Sequence, residues 1–195
     1  MIDEFKTITC ESEGTYTELR SKFLAFAHPV ETAEEAMAIV DQYQKKYYDA
    51  RHVCWAYMLG HERNVFRSND NGEPSGTAGK PILGQINSNE LTNIIILVVR
   101  YFGGVKLGTS GLIVAYRAAA AEAIANATII EKTVDVELEF TFEYPLMSAV
   151  MKVVRDMGAV IKSQSYDMDC TLKIAIRASK ADEIKEKIQK VLSPF

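Results

Sequence analysis

The segment Thr92–Ala127, TNIIILVVRYFGGVKLGTSGLIVAYRAAAAEAIANA, decides the reading of the chain. Its first part, Ile94, Ile95, Ile96, Leu97, Val98 and Val99, is an unbroken aliphatic run. The run lacks helical polar spacing and falls far short of the ~18 apolar residues of a membrane span, so it predicts a strand buried on both faces. Gly103, Gly104, Gly108 and Gly111 follow closely, as suits a chain that must take positive φ or admit a close neighbour. Thr109 and Ser110 are candidate N-caps for a helix whose buried stripe is Leu112, Tyr116, Ala119, Ala120 and Ala123. Strand, glycine loop and helix therefore succeed one another, with Arg100, Lys106 and Arg117 around the joint. Free amides at a helix N-terminus beside cationic side chains suit an anion. The same residues also satisfy a purely architectural reading, in which the glycines turn the chain and the alanines let the helix pack closely.

Working outward, 195 residues with 48% hydrophobic and 25% charged side chains suit one large or two small globular domains. The acidic, alternating start MIDEFKTITCESEG has neither the pattern of a secretory signal nor that of a transit peptide, so a cytoplasmic protein without a membrane partner is expected. Cys10, Cys54 and Cys170 are odd in number and far apart, with no CxxC, which excludes a disulfide framework or zinc knuckle. His52 and Cys54 fall on one face of a strand, but two ligands do not make a structural metal site. Neither a metal nor a cofactor is expected. Net charge is −4, which argues against indiscriminate nucleic-acid binding and gives no ground for DNA sequence specificity. The distribution says more: residues 1–50 carry five basic and ten acidic side chains, whereas residues 51–117 carry seven basic and four acidic. The basic excess shares its third of the chain with the glycine loops.

Phe5–Val30 reads as two strands separated at Gly14. Thr32 with Glu35 forms a capping box before a helix through Ala36, Ile39, Val40 and Tyr43. His52–Leu59 reads as a strand with Asn64–Arg67 as its partner. The stretch SNDNGEPSGTAGKPILG that follows is dense in turn formers, and Thr77 is placed to cap a short helix carrying Ile82, Leu83 and Ile86. In that loop Asp70 is read as a turn former and Glu73 as a solvated side chain. A loop of this length bearing Ser75, Thr77 and Lys80 is a candidate functional element. Glu131–Phe142 alternates as one half-exposed strand, Pro145 opens a helix that Gly158 stops, two strands follow, and Ser179 caps a last helix. A domain boundary is placed near Glu131, giving domains 1–130 and 131–195.

Motif tests narrow the chemistry. Gly103 and Gly108 have P-loop separation, but Thr109 stands where the phosphate-binding lysine belongs, and the glycines do not form GxGxxG. No GxSxG elbow is present, and no sequence-local pair joins a nucleophile to a base. Catalytic residues are therefore not assigned.

The residues SNDNGEPSGTAGKPIL and NIIILVVRYFGGVKLGTSGLIVAYRAAA together resemble the IMPACT/YigZ family, with RYFGGVKLG its specific element. The resemblance runs along essentially the whole chain. It implies an α+β protein with an N-terminal domain like ribosomal protein S5 domain 2. A ferredoxin-like domain similar to domain V of elongation factor G follows. A closing strand after the last helix is not evident in Val191–Phe195. Eukaryotic relatives regulate translation, using an additional RWD domain absent from this sequence. The resemblance thus implies a translation-linked role in which RNA or a ribosome-associated factor is the partner. The candidate phosphate contacts are Arg100, Lys106, Arg117, Lys80, Gly103, Gly104, Gly108, Thr109, Ser110, Ser75 and Thr77. The alternatives are a phosphotransferase or hydrolase acting on a small phosphorylated ligand in the same loops, and a protein-interaction adaptor using the C-terminal sheet. Oligomeric state is not indicated.

Overall fold

The computed structural model describes residues 3–193. The chain is α+β and divides into two compact units. Phe5–Lys132 forms one, while Asp3 and Glu4 group with the residues from Thr133 onward in the other.

The larger unit is built on a five-stranded antiparallel sheet of order β2-β3-β6-β4-β5. Its strands are β2 Ser12–Glu18, β3 Ser21–Pro29, β4 His52–Leu59, β5 Val65–Asn69 and β6 Ile94–Tyr101. The expected central strand is β6, with no exposed area from Ile94 to Val99. Alternation sends Ile94, Ile96 and Val98 to one face, against Ile82 and Ile86 of α2 (Gly79–Ser88) and Leu112, Tyr116 and Ala119 of α3 (Gly108–Ala125). Ile95, Leu97 and Val99 go to the other, against Ala36, Val40 and Tyr43 of α1 (Ala33–Lys46). Two covered faces explain an unbroken aliphatic run in an antiparallel sheet, and each such side chain contributes about 1.5–3 kcal/mol by burial. The capping box is present, with the Glu35 amide donating to Thr32 Oγ1 at 3.1 Å.

Several local expectations are corrected. Phe5–Val30 holds three strands: β1 (Glu4–Ile8), β2 and β3. Gly14 does not interrupt a strand; it pairs with Ala25 inside β2. A Cβ there would stand 2.3 Å from the Ala123 amide nitrogen, so the glycine lets α3 lie directly on the sheet. Thr77 does not cap α2, because its hydroxyl donates to the Pro74 carbonyl at 2.6 Å. Asp70 takes that role from the far end of the loop, accepting from the amides of Gly76, Ala78 and Gly79 at 2.9, 3.1 and 2.8 Å. α3 starts at Gly108, one residue before Thr109, and its first turn has no side-chain cap. Glu131–Phe142 is two strands, β7 (Ile129–Thr133) paired with β1 and β8 (Asp135–Phe142) paired elsewhere.

The smaller unit places β8, β9 (Val160–Tyr166) and β10 (Cys170–Arg177) in the order β8-β10-β9, antiparallel throughout. α4 (Met147–Asp156) and α5 (Ala181–Leu192) cover one face through Val150, Val154, Ile184 and Ile188. Pro145 lies in the single 3₁₀ turn that leads into α4, and Gly158 follows that helix with φ +71°. The methionines of the α4 stripe belong to this core, Met157 being 8% exposed. Among the described residues the sheet has three strands; Pro194 and Phe195 lie outside them.

Ser179 is not the cap of α5. Its amide donates to Asp3 Oδ2 at 3.2 Å, and the Asp3 carboxylate also accepts from Arg177 Nε and Nη2 at 2.7 and 3.1 Å. The Arg177 hydrogen bond, followed by that from Ser179, holds the Asp3 carboxyl well below the usual carboxylate range. A carboxyl depressed by folding stabilises in its ionised form, fully above the unfolded value and progressively less as pH falls below it. Thermal unfolding of the full chain should therefore show a gap between wild type and Asp3→Asn that is widest at pH 7. The gap should narrow below about pH 4; a constant gap down to pH 3 would contradict the assignment.

Candidate functional site

The site begins with a charge at the end of an apolar strand. Register sets His52 of β4 and Phe23 of β3 directly beside Arg100 of β6. Arg100 is 6% exposed, so its guanidinium needs a compensating acceptor within the protein. Glu73 supplies it. The loop after β5 turns at Asn71 and Gly72, with φ +43° and +84°, and carries the Glu73 carboxylate inward to 2.6 Å from Arg100 Nη1. Glu73 is 8% exposed; its expected solvated position is thus corrected, because the buried arginine draws it in.

Three further side chains converge on this pair. Tyr116, fully buried on α3, donates from its hydroxyl to Glu73 Oε1 at 2.7 Å. Its ring meets Phe23 edge-on at 5.1 Å. Burial pushes the Tyr116 hydroxyl far above its ordinary pKa, so it remains a donor. Cys54 Sγ lies 3.0 Å from the Asp70 carbonyl oxygen and 3.4 Å from the Tyr116 hydroxyl. Burial pushes its thiol up as well, which keeps it protonated and unreactive. His52 Nδ1 is 2.7 Å from the Asn71 carbonyl oxygen. A carbonyl only accepts, so Nδ1 donates there, while Nε2 lies 3.6 Å from Glu73 Oε2.

Above this assembly lies a cavity of about 440 Å³ lined by Arg51, His52, Glu73, Arg100, Phe102 and Lys106 together with Pro74 and the start of α3 from Leu107 to Thr109 and Leu112. The size suits a small ligand or one nucleotide-sized group. Arg51 and Lys106 are exposed. Phe102, 44% exposed, has the guanidinium carbons of Arg100 and Arg51 at 5.7 and 6.0 Å from its ring centre, within cation–π range.

The candidate residues read from the sequence divide accordingly. Arg100, Lys106, Gly108 and Thr109 line this cavity. Ser110 lines a separate depression with Tyr16, Leu19 and Val114. Gly103 is a packing residue: its amide donates to Ser21 Oγ at 3.0 Å, and a Cβ would stand 2.1 Å from the Arg20 carbonyl carbon. Gly104 and Gly108 have φ +90° and +73°. Ser75, Lys80 and Arg117 are exposed and Thr77 is buried, and none of the four lines the cavity. Sequence reasoning did not include Arg51, His52, Glu73, Phe102 or Tyr116 in the site. The available signal was Arg100 itself, since a cation ending a doubly buried strand requires a carboxylate, and the neighbouring loop offers only Asp70 and Glu73.

Residues 19–124 match the Impact N-terminal domain, and residues 140–193 match a domain of unknown function, DUF1949. The chain belongs to the IMPACT family. The IMPACT family member YigZ of Escherichia coli is 32% identical over 171 residues, covering 87% of this chain and 84% of YigZ. The IMPACT family member YvyE of Bacillus subtilis is 27% identical over 186 residues, 95% of this chain and 86% of that protein. A crystal structure of a hypothetical protein is similar with a TM-score of 0.71 at 28% identity, covering 96% of this chain and 92% of the other. Every residue lining the cavity, from Arg51 to Leu112, lies inside the stretch that defines the IMPACT N-terminal domain.

Removing one partner of a buried pair leaves the other uncompensated, at a cost of about 3–5 kcal/mol. Glu73→Gln should lose stability on that scale, whereas Tyr116→Phe, which removes one hydrogen bond to a charged group, should lose about 1.5–3 kcal/mol. Urea unfolding followed through Trp55, the sole tryptophan and 3% exposed, measures both. Losses below about 1 kcal/mol for Glu73→Gln, the scale of an exposed ion pair, would contradict the role given to Glu73.

Proposed function

We propose that this IMPACT-family protein is a translation-linked binding module that engages RNA, or a ribosome-associated surface, through phosphate groups and without catalysis. The observation that carries this reading is the opening of the uncapped α3 N-terminus into a cavity walled by Arg51, Arg100 and Lys106. Backbone amides at a helix start and side-chain cations are the two elements that position phosphates. The resemblance to translation regulators supplies the biological setting, by analogy of fold and family. Arg100 serves this site from within, because its guanidinium is held by Glu73. Lys106 and Arg51 are the exposed cations of the cavity and Arg100 its buried one, with Lys80 and Arg117 as outlying positive charges.

The test follows from counterion release. Single-stranded RNA binding should weaken with salt, and each lost phosphate contact should reduce the log–log slope by about 0.7. An Arg51→Ala, Lys106→Ala double variant, both positions being exposed, should bind more weakly across RNA sequences and with a slope smaller by about 1.4. Equal affinities and slopes over a salt series would sink the phosphate assignment.

One observation favours a second reading, a hydrolase or phosphotransferase for a small phosphorylated ligand. His52 presents an Nε2 whose partner nitrogen is fixed on the Asn71 carbonyl, in the same cavity, which is the orientation a general base requires. The binding-module reading predicts no phosphate release from p-nitrophenyl phosphate or nucleotides. Release abolished by His52→Ala would decide for the enzyme.

A further inference from the structure

The charges lining the cavity specify a phosphate more closely than the basic character of the region does. Three permanent cations, Arg51, Arg100 and Lys106, face one carboxylate, Glu73. Counting Arg, Lys and Glu side chains alone, the lining carries three positive charges and one negative, a balance of +2. Arg100 is satisfied on one side only. Its Nη1 donates to Glu73, whereas its Nε, buried in a side chain 7% exposed, has no hydrogen-bond partner among the described residues. Buried donors in proteins are almost always paired, and this unpaired one belongs to a side chain that lines the cavity. The guanidinium packs against Phe23 and Phe102, with its carbon 5.6 and 5.7 Å from the ring centres, so the donor is held in place by aromatic packing. The start of α3 supplies a second set of donors, the amides of its uncapped first turn, with the exposed Thr109 at the cavity wall.

We propose that the cavity recognises a terminal phosphate monoester, on an RNA end or on a small phosphorylated ligand, in preference to the internal phosphodiesters of a chain. A monoester carries a charge of about −1.5 to −2 at pH 7 and three free acceptor oxygens. An internal diester carries −1 and has two of its oxygens committed to the chain. The +2 lining and the two separate donor sets, Arg100 with Lys106 and Arg51 on one side and the α3 amides on the other, match the monoester. The cavity volume of about 440 Å³ is in the range of a small-ligand site. This inference rests on the reading that phosphate binds at this cavity, and the experiment separates the two.

The full chain is titrated with one RNA oligonucleotide in three forms: 5′-phosphorylated, 3′-phosphorylated and unphosphorylated at both ends. Adenosine 5′-monophosphate and inorganic phosphate serve as competitors. A phosphorylated form should bind at least about tenfold more tightly than the unphosphorylated one, the gain typical of added charge-assisted hydrogen bonds. That advantage should vanish in Arg51→Ala, Lys106→Ala while the thermal midpoint stays unchanged. Displacement by the mononucleotide at concentrations similar to the oligonucleotide would identify a small phosphorylated ligand as the source. Resistance to it, with the end preference intact, would identify an RNA end. Equal affinity for all three RNA forms would overturn the monoester proposal and leave phosphate recognition standing. Absence of binding by every RNA form and by the mononucleotide would overturn both.

Discussion

The buried ion pair between Glu73 and Arg100 is the constraint on which the larger unit's site depends. β6 is aliphatic on both faces until Arg100, where a permanent charge enters a position with almost no access to water. Taking such a charge out of water costs several kcal/mol unless a partner is in contact. The loop between β5 and α2 therefore cannot spread into solvent; it must fold back to deliver a carboxylate. Asp70 makes that path reproducible by accepting three loop and helix amides. Tyr116 ties the same carboxylate to α3. One interaction thus couples the central strand, the loop and the helix, and the cavity forms where the three meet.

Close backbone approach is the second determinant. Gly14 brings β2 against α3, and Gly103 brings the loop after β6 against the tip of the β2–β3 hairpin. That tip is a two-residue connection, Leu19 and Arg20, with φ +45° and +66°. Positive φ at both central positions is the signature of a type I′ turn, normally occupied by Asn or Gly. Two bulkier residues accept the strain there while the hairpin contacts the glycine loop through Ser21 and Gly103. Gly14 thus seats the last turn of α3 on β2, and Gly103 seats the loop that leads into that helix, both for steric reasons.

What was legible in the sequence follows from how local each determinant is. The buried run of β6, the Thr32–Glu35 box, the stripe of α3 and the Pro145 and Gly158 limits of α4 are set by residues within one or two turns, and they could be read directly. The family and its α+β architecture followed from the glycine-loop segments. Glu73 could not be read so simply, because its environment depends on Arg100, 27 positions away. Gly14 looked like a strand breaker, since its reason is the helix backbone at Ala123. The change of partner at Val134, whose amide donates to the Asp3 carbonyl at 2.8 Å, leaves the alternation intact and so left no trace in the hydrophobic pattern. The candidate site was half legible: Lys106, Gly108 and Thr109 stand at the cavity, but Lys80 and Arg117 were grouped with them by sign of charge alone.

A steric device, an internal ion pair and an uncapped helix start thus meet at one cavity of an IMPACT-family domain, the cavity for which phosphate binding is proposed. The most direct test is an amide chemical-shift map of the full isotope-labelled chain titrated with a phosphorylated RNA oligonucleotide. Shifts concentrated at the amides of Gly108, Thr109 and Ser110, with Arg51 and Lys106 beside them, are the predicted result. Shifts confined to β8–β10, with those amides unmoved, would contradict it.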